Sequence, residues 1–226
     1  MDDLFLAAVF FVATHLGIAG TPLRGALVDK LGANGYRAVF SVIALVALVW
    51  LIRAYDQAPF LELWEPAAPL RLLAVLLMPF AFLLLVCAFT APNPTAAGQQ
   101  PDIYAAEPVQ GIQRITRHPL LWAVILWGSL HILATGHLAA VILFGSLVLT
   151  AALGSTMIDR RHIQDSQPGW GVFFQRSSNL PFLAILQGRQ KLAPAEIGWL
   201  RTTGALALYG LVLFAHSFLF GPRPVG

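Results

Sequence analysis

Asp, Glu, Lys and Arg are absent from residues 4–23, 38–52, 72–101, 119–158 and 202–222. A helix that crosses the hydrocarbon core of a bilayer needs about 20 largely apolar residues. The stretch 119–158 is long enough for two such helices, divided at Thr135-Gly136-His137. The apolar pattern of the second stretch runs from Tyr36 to Arg53, and the third loses helical character near Thr90, ahead of Pro92 and Pro94. The pattern therefore predicts an all-α polytopic membrane helical bundle of about six transmembrane helices, spanning 4–21, 36–54, 70–90, 118–134, 138–157 and 199–220. The whole chain, 1–226, reads as a single membrane domain. The first span follows Met-Asp-Asp, with no basic stretch ahead of it, and reads as a retained helix rather than a cleaved leader. Pro79 is expected to kink the third span.

Composition narrows the class further. Hydrophobic residues make up 58% and charged residues 11% of the chain, and the mean hydropathy is +0.72. So few charges cannot cover a water-soluble globule, which excludes a soluble enzyme, a disordered chain and a disulfide scaffold. A single cysteine excludes an intramolecular disulfide and a multi-cysteine metal site. A net charge of +3 would suit nucleic acid, but the placement of the charges points to membrane orientation and gives no nucleic-acid partner. With six helices, Arg24, Lys30, Arg37, Arg114, Arg117, Arg160, Arg161, Arg176, Arg189, Lys191 and Arg201 share one side. Only Arg53, Arg71 and Arg223 lie on the other. The positive-inside rule places the larger set in the cytoplasm of a bacterial inner membrane, with both termini outside and lipid as the surrounding partner. Trp50, Trp64, Tyr55, Trp199 and Tyr36 fall near span ends, as belt residues do. The segment 158–198 is the largest cytoplasmic or interfacial part. Its Trp170-Gly-Val-Phe-Phe and Leu180–Leu186 runs are too short to span and read as packed on the bundle or lying at the interface.

The chain carries no Gly-rich nucleotide loop, zinc-protease motif or serine-hydrolase elbow. No carboxylate falls inside a predicted span, which argues against an acidic proton relay. Histidines are the polar residues that do. His15, His131 and His216 lie within the first, fourth and sixth spans, while His118 opens the fourth, His137 sits in the outer turn and His162 in the cytoplasmic segment. A buried imidazole costs free energy unless its nitrogens find partners. Two readings stay open: hydrogen bonds to neighbours, such as His15 to Thr14 or His216 to Ser217, and axial ligation of a haem. By helix rise, His15 is about 16 Å from the outer surface and His131 about 20 Å from the inner one, levels differing by only ~6 Å in a core of about 30 Å. His216 lies nearer the outer surface. Arg117, His118, Arg114 and Arg24 are placed to meet haem propionates, or serve only as topogenic charge. Cys87 reads as a small buried hydrophobe.

Several runs carry a family resemblance. They are His15-Leu-Gly-Ile-Ala-Gly-Thr-Pro-Leu-Arg24, Gly111-Ile-Gln-Arg-Ile-Thr-Arg-His-Pro119, Leu126-Trp-Gly-Ser-Leu-His131, Ala134-Thr-Gly-His137 and Ser178-Asn-Leu-Pro-Phe182. Together they resemble the NnrU family along nearly the whole chain. That resemblance implies one of two functions. One is a haem b enzyme of carotenoid biosynthesis of the 15-cis-zeta-carotene isomerase type, catalysing cis-trans isomerisation of a linear carotene. The other is a non-enzymatic accessory of nitrite and nitric oxide respiration, that is, of denitrification. The implied haem and metal ligands, and hence the catalytic residues, are His15 and His131, with Arg117 and His118 as further cofactor-binding residues. The isomerase type also carries a cysteine three residues before the second histidine, where this chain has Gly128.

Overall fold

A computed structural model describes residues 1–96, 99, 103, 105, 107–164 and 168–221. Arg223, one of the three basic residues assigned to the outer side, lies outside the described residues. Nine α-helices are present among them: α1 Asp2–Thr14, α2 Leu23–Asp56, α3 Ala68–Thr90, α4 Pro119–Thr135, α5 Leu138–Gln164, α6 Pro168–Arg176, α7 Leu183–Leu186, α8 Pro194–Ile197 and α9 Trp199–Phe220. A π-helical turn, His15–Ala19, continues α1, and a 3₁₀ turn, Gly111–Arg114, precedes α4. In a bilayer core every backbone N–H and C=O must be satisfied inside the segment, so helix is the structure these apolar stretches can adopt. α1 with its π-turn, α2, α3, α5 and α9 are long and apolar enough to cross a membrane; α4 is a shorter apolar helix of 17 residues. The chain is a multi-pass helical membrane protein.

The helices pack as a curved row. α5 lies against α1 and α4, α1 also packs on α2, and α3 joins α4 to α9. The core is made of small and large residues that interlock: Leu4, Ala7 and Phe11 of α1, Ala47 and Leu51 of α2, and Ala140, Leu143 and Phe144 of α5. Outward-facing apolar side chains, such as Val42, Leu76, Leu211 and Phe214, stay exposed, as a lipid-facing surface requires. Polar links add register: the Tyr209 hydroxyl donates to the Val75 carbonyl at 2.8 Å, and Arg201 Nη2 donates to the Thr90 carbonyl at the C-terminal end of α3 at 3.0 Å.

Two spans differ from the sequence expectation. α2 begins at Leu23, not near Tyr36, because Leu23–Leu31 forms a helical segment that Gly32 (φ 72°, ψ 162°) joins to the span proper. α5 continues past its apolar stretch to Gln164, carrying Asp159 with it. Pro79 lies inside α3. In the segment 158–198, the Trp170 run becomes α6. Trp170 and Phe173 are buried against Ile103 and Val109, so this run packs on the preceding loop.

The turn between α4 and α5 is held by Gly136, which closes α4 in the left-handed region (φ 69°, ψ 14°). Its carbonyl accepts the N–H groups of Leu63 (2.8 Å) and Trp64 (3.1 Å), and Leu138 N–H donates to the Leu61 carbonyl at 2.8 Å. A Cβ at Gly136 would overlap the Trp64 carbonyl. Gly136→Ala is therefore expected to cost at least ~1 kcal/mol from the left-handed backbone alone, with the overlap added. Gly145→Ala, a helical site with open space around its Cβ, should be neutral or slightly stabilising. Thermal unfolding in detergent measures both; equal melting of Gly136→Ala and wild type would remove the turn as a constraint.

Candidate functional site

At the basic end of the bundle one buried carboxylate gathers three segments. Arg117, in the stretch before α4, donates to Asp159 twice, Nε to Oδ1 at 2.9 Å and Nη2 to Oδ2 at 2.6 Å. His118 Nε2 lies 2.7 Å from Oδ1, so this nitrogen carries the proton. Asn179 Nδ2 donates to Oδ2 at 3.2 Å and to Ser155 Oγ at 3.0 Å. The side chain of Asn179 in turn accepts from Trp122 Nε1 at 3.1 Å, and its carbonyl accepts from Thr116 Oγ1 at 2.6 Å. Arg117 N–H donates to the Ser178 carbonyl at 3.0 Å, and its guanidinium lies 4.6 Å from the centre of the Phe174 ring. The Ser178–Phe182 strap thus crosses the entrance to α4. Arg117 and His118 have their donors engaged with Asp159, and these bonds hold α4, and with it His131.

An open cavity of about 840 Å³ lies beside this clamp, lined by Arg117, Phe174, Ser178, Leu180 and Arg189. Farther along, Arg114 makes a two-pronged contact with Glu196, at 2.7 and 2.8 Å. That guanidinium, together with the Gly111 N–H at 2.8 Å, holds the Glu196 carboxyl below the usual carboxylate range. Arg114, a sequence candidate for a cofactor carboxylate, is in this way also paired within the protein.

The histidines lie deeper. His15 opens the π-helical turn, a local widening of the helix often found at functional positions. Its Nδ1 lies 2.8 Å from the Phe11 carbonyl, not on Thr14, whose hydroxyl returns to Phe10 and Phe11. A carbonyl only accepts, so Nδ1 holds the proton and Nε2 keeps its lone pair. His131 repeats the arrangement: Nδ1 lies 2.8 Å from the Trp127 carbonyl. Neither Nε2 makes a hydrogen bond among the described residues. Imidazoles fixed in this tautomer by a backbone carbonyl are the form in which histidine binds metal. Flat apolar groups surround both: Phe11 (4.1 Å between ring centres) and Phe40 (5.5 Å) for His15, and Phe144 (4.8 Å) and Trp127 (4.9 Å) for His131. The donor chemistry of each ring fits a haem ligand.

The two rings are not brought face to face. α1 and α4 each pack on α5, and His15 and His131 make no ring contact with each other among the described residues. His131 lies beside Phe144, whereas the π-turn reaches the Met157 end of α5 at Gly20. Along the bundle their levels differ by something on the order of 10 Å, more than the sequence suggested. The reason is that α4 is short and places His131 four residues from its C-terminal end at Thr135. The histidine brought nearest to His131 is His216 of α9, with ring centres 6.5 Å apart and planes 26° from parallel. His137 stacks on Tyr55 at 6.0 Å and its Nδ1 accepts from Ala140 N–H; His162 stacks on Trp170 at 3.9 Å. Cys87 is buried among Leu84, Ile112 and Ala123, as a small hydrophobe. Gly128 is a point of close approach between α4 and α5: a Cβ there would lie 2.8 Å from Val148 Cγ2 and 3.4 Å from the Phe144 carbonyl. A thiol at this position requires Val148 to give way.

Sequence reasoning missed Asp159 and Asn179. Asp159 was read as the end of a charge-free stretch, although its Met-Ile-Asp-Arg-Arg setting supplied a carboxylate one residue beyond an apolar helix. Asn179 lies in the Ser178–Phe182 run, which was recognised only as a family feature.

The NnrU protein family model matches residues 3–224, and the chain belongs to that family. It is 29% identical over 196 residues to a Zea mays protein named 15-cis-zeta-carotene isomerase, chloroplastic, covering 84% of this chain and 52% of the relative. It is 27% identical over 230 residues to the Arabidopsis thaliana protein of the same name, covering 96% of this chain and 60% of that one. The chain therefore spans about half to three-fifths of the length of these relatives. No solved structure matches it.

Removing one partner of a buried ion pair leaves the other charge uncompensated. Asp159→Ala is expected to destabilise the protein by about 3–5 kcal/mol, and Asp159→Asn by less, since it keeps acceptor capacity. The exposed Arg176–Glu107 pair (3.2 Å) is the internal control: Glu107→Ala should change stability by no more than about 1 kcal/mol. Detergent unfolding curves decide; similar losses for Asp159→Ala and Glu107→Ala would show that the carboxylate is not a clamp.

Proposed function

We propose that this NnrU-family chain is a membrane-embedded isomerase that acts on a 15-cis double bond of a linear carotene with haem b as its cofactor. The observation that carries the reading is the similarity, along most of the chain, to two plant proteins named for that reaction. The apolar, multi-pass architecture suits a hydrocarbon substrate dissolved in lipid. His15 and His131 are the candidate ligands, each with Nδ1–H tied to its own helix and Nε2 left as a donor atom. When bound, haem supplies an iron centre able to interact with a conjugated chain and lower the barrier to rotation about one double bond. The protein's own contribution is positional. Arg117, His118 and Asp159 fix the start of α4 and so the level of His131; the aromatic rings beside each histidine give flat apolar walls.

The second reading is an accessory protein of nitrite and nitric oxide respiration that binds haem without turning over a carotene. Gly128 favours it, because the structure closes α4 onto α5 where the isomerase type is expected to carry a thiol.

The test has two readouts. Protein purified in mild detergent should show a b-type Soret band. Because the two histidines lie at different levels, His15→Ala and His131→Ala are read separately, each expected to lose or shift the band, with His162→Ala unchanged and His216→Ala as the neighbour control. A carotenoid-producing bacterium that accumulates tri-cis zeta-carotene in darkness should lose that isomer when the chain is expressed. Haem-loaded protein with no loss of the tri-cis form would favour the accessory role; unchanged spectra in both ligand variants would refute the ligand assignment.

In a bacterial host the same reading places the chain in the inner membrane with both ends outside the cytoplasm, on the strength of the eleven-to-three distribution of basic residues. Alkaline phosphatase fused to the C-terminus should be active. A silent phosphatase fusion beside an active cytoplasmic reporter would reverse the orientation.

A further inference from the structure

Tyr36 was expected at the membrane boundary as a belt residue. Instead it is 94% buried by its 6% relative exposure, and its hydroxyl has no hydrogen-bond partner among the described residues. A buried phenol without a partner is costly, and a tyrosine O–H normally finds one. The groups around it are cationic. The Arg24 guanidinium lies 5.4 Å from the centre of the Tyr36 ring, and Arg161, at the end of α5, is near enough to act on the phenol electrostatically. Arg24 forms no ion pair among the described residues. Arg24 beside an unused buried donor makes a place where an acceptor-only, negatively charged group is missing among the described residues.

The position of this place in the fold suggests the body of the ligand. The π-turn, α2 and α5 pack together here. The Tyr36 ring stacks on Phe40 at 5.8 Å, and Phe40 in turn lies 5.5 Å from the His15 ring. A file of flat rings therefore leads from the basic end of the bundle inward to His15. Arg117, His118 and Arg114, the other basic residues singled out for a carboxylate, are committed to Asp159 and Glu196. Arg24 and Tyr36 have no such carboxylate.

We infer that Tyr36 and Arg24 form an oxyanion site for the carboxylate or phosphate head of an amphiphile whose apolar body lies along Phe40 toward His15. The phenol donates one hydrogen bond and the Arg24 guanidinium supplies charge, a set matched to carboxylate and phosphate oxygens. Two sources carry this chemistry: the phosphate of an anionic phospholipid, and a carboxylate of a porphyrin held at His15. The second source rests on the haem reading above, and the first does not.

The full chain with Tyr36→Phe and Arg24→Gln, singly and together, tests the site. Tyr36→Phe removes only the oxygen and leaves the ring stack, so folding is preserved; melting curves confirm it. In the lipid arm, wild type and variants are loaded into nanodiscs of phosphatidylglycerol or phosphatidylcholine, and bound lipid is counted by native mass spectrometry after detergent exchange. In the porphyrin arm, apo-protein is titrated with haem and with haem dimethyl ester, followed at the Soret band. Each substitution is expected to weaken binding of the anionic probe roughly tenfold, leaving phosphatidylcholine or the ester unaffected. Loss of retained phosphatidylglycerol identifies the phosphate source. Loss of the preference for haem over its ester identifies the carboxylate source. If wild type binds no haem, the cofactor reading fails while the lipid arm still reads the site. Folded variants that match wild type in every probe that binds would overturn the site.

Discussion

The arrangement of this bundle turns on the Asp159 carboxylate. Apolar helices in lipid gain little from burying apolar surface against one another, since the tails around them are equally apolar. Register has to come from directional contacts and close fit. Asp159 provides the directional part: Arg117, His118 and Asn179 converge on its two oxygens from the entrance to α4 and from the strap after α6. Every oxygen lone pair used there fixes α4 relative to α5. The level of His131 beside Phe144 follows from that anchorage, thirteen residues along the chain from His118.

Close fit supplies the rest. Gly128 allows α4 to approach Val148 and Phe144 on α5 so tightly that a Cβ has no room. The same face of α5 gives Phe144, which meets Trp127 edge-on at 5.0 Å and His131 at 4.8 Å. The clamp at one end, the glycine contact in the middle and the Gly136 turn at the other act on a single helix pair. A side chain at 128 requires Val148 to shift, and it adds a group one helical turn from His131.

Spans were legible in the chain because lipid imposes a simple demand, about twenty residues without charge, and α3 and α9 match it closely. What charge-free windows cannot show is helix that continues past them. α5 carries Asp159 beyond its apolar stretch, and α2 gains a first segment across Gly32 that contains charged Arg24 and Asp29. The histidine positions were legible as residues but not as geometry. Equal-length helices would put His15 and His131 nearly level; the 17-residue α4 and the turn that closes it separate them, and His216 lies beside His131 instead. Tyr36 was misread for a related reason. Its place near a span end was correct, but only the fold of the Leu23–Leu31 segment back toward it reveals that it is covered.

The chemistry left over in the apolar midsection is a matter of valence. Hydroxyls in the helices close on their own backbone: Thr14 on Phe10, Thr21 on Gly17, Thr150 on Ser146 and Thr203 on Trp199, all at 2.6–2.9 Å. One bond of that kind satisfies the single hydroxyl proton. An imidazole has two nitrogens on opposite edges of a ring, and its own helix reaches only one of them. His15 and His131 both spend Nδ1 this way, so the opposite nitrogen of each keeps an acceptor lone pair that makes no hydrogen bond among the described residues. A bundle built only to pack would be served as well by threonine or leucine at these two positions. Histidine is the side chain that keeps a Lewis base available after the helix has taken its share, and that residual base is what a metal-bearing cofactor would use.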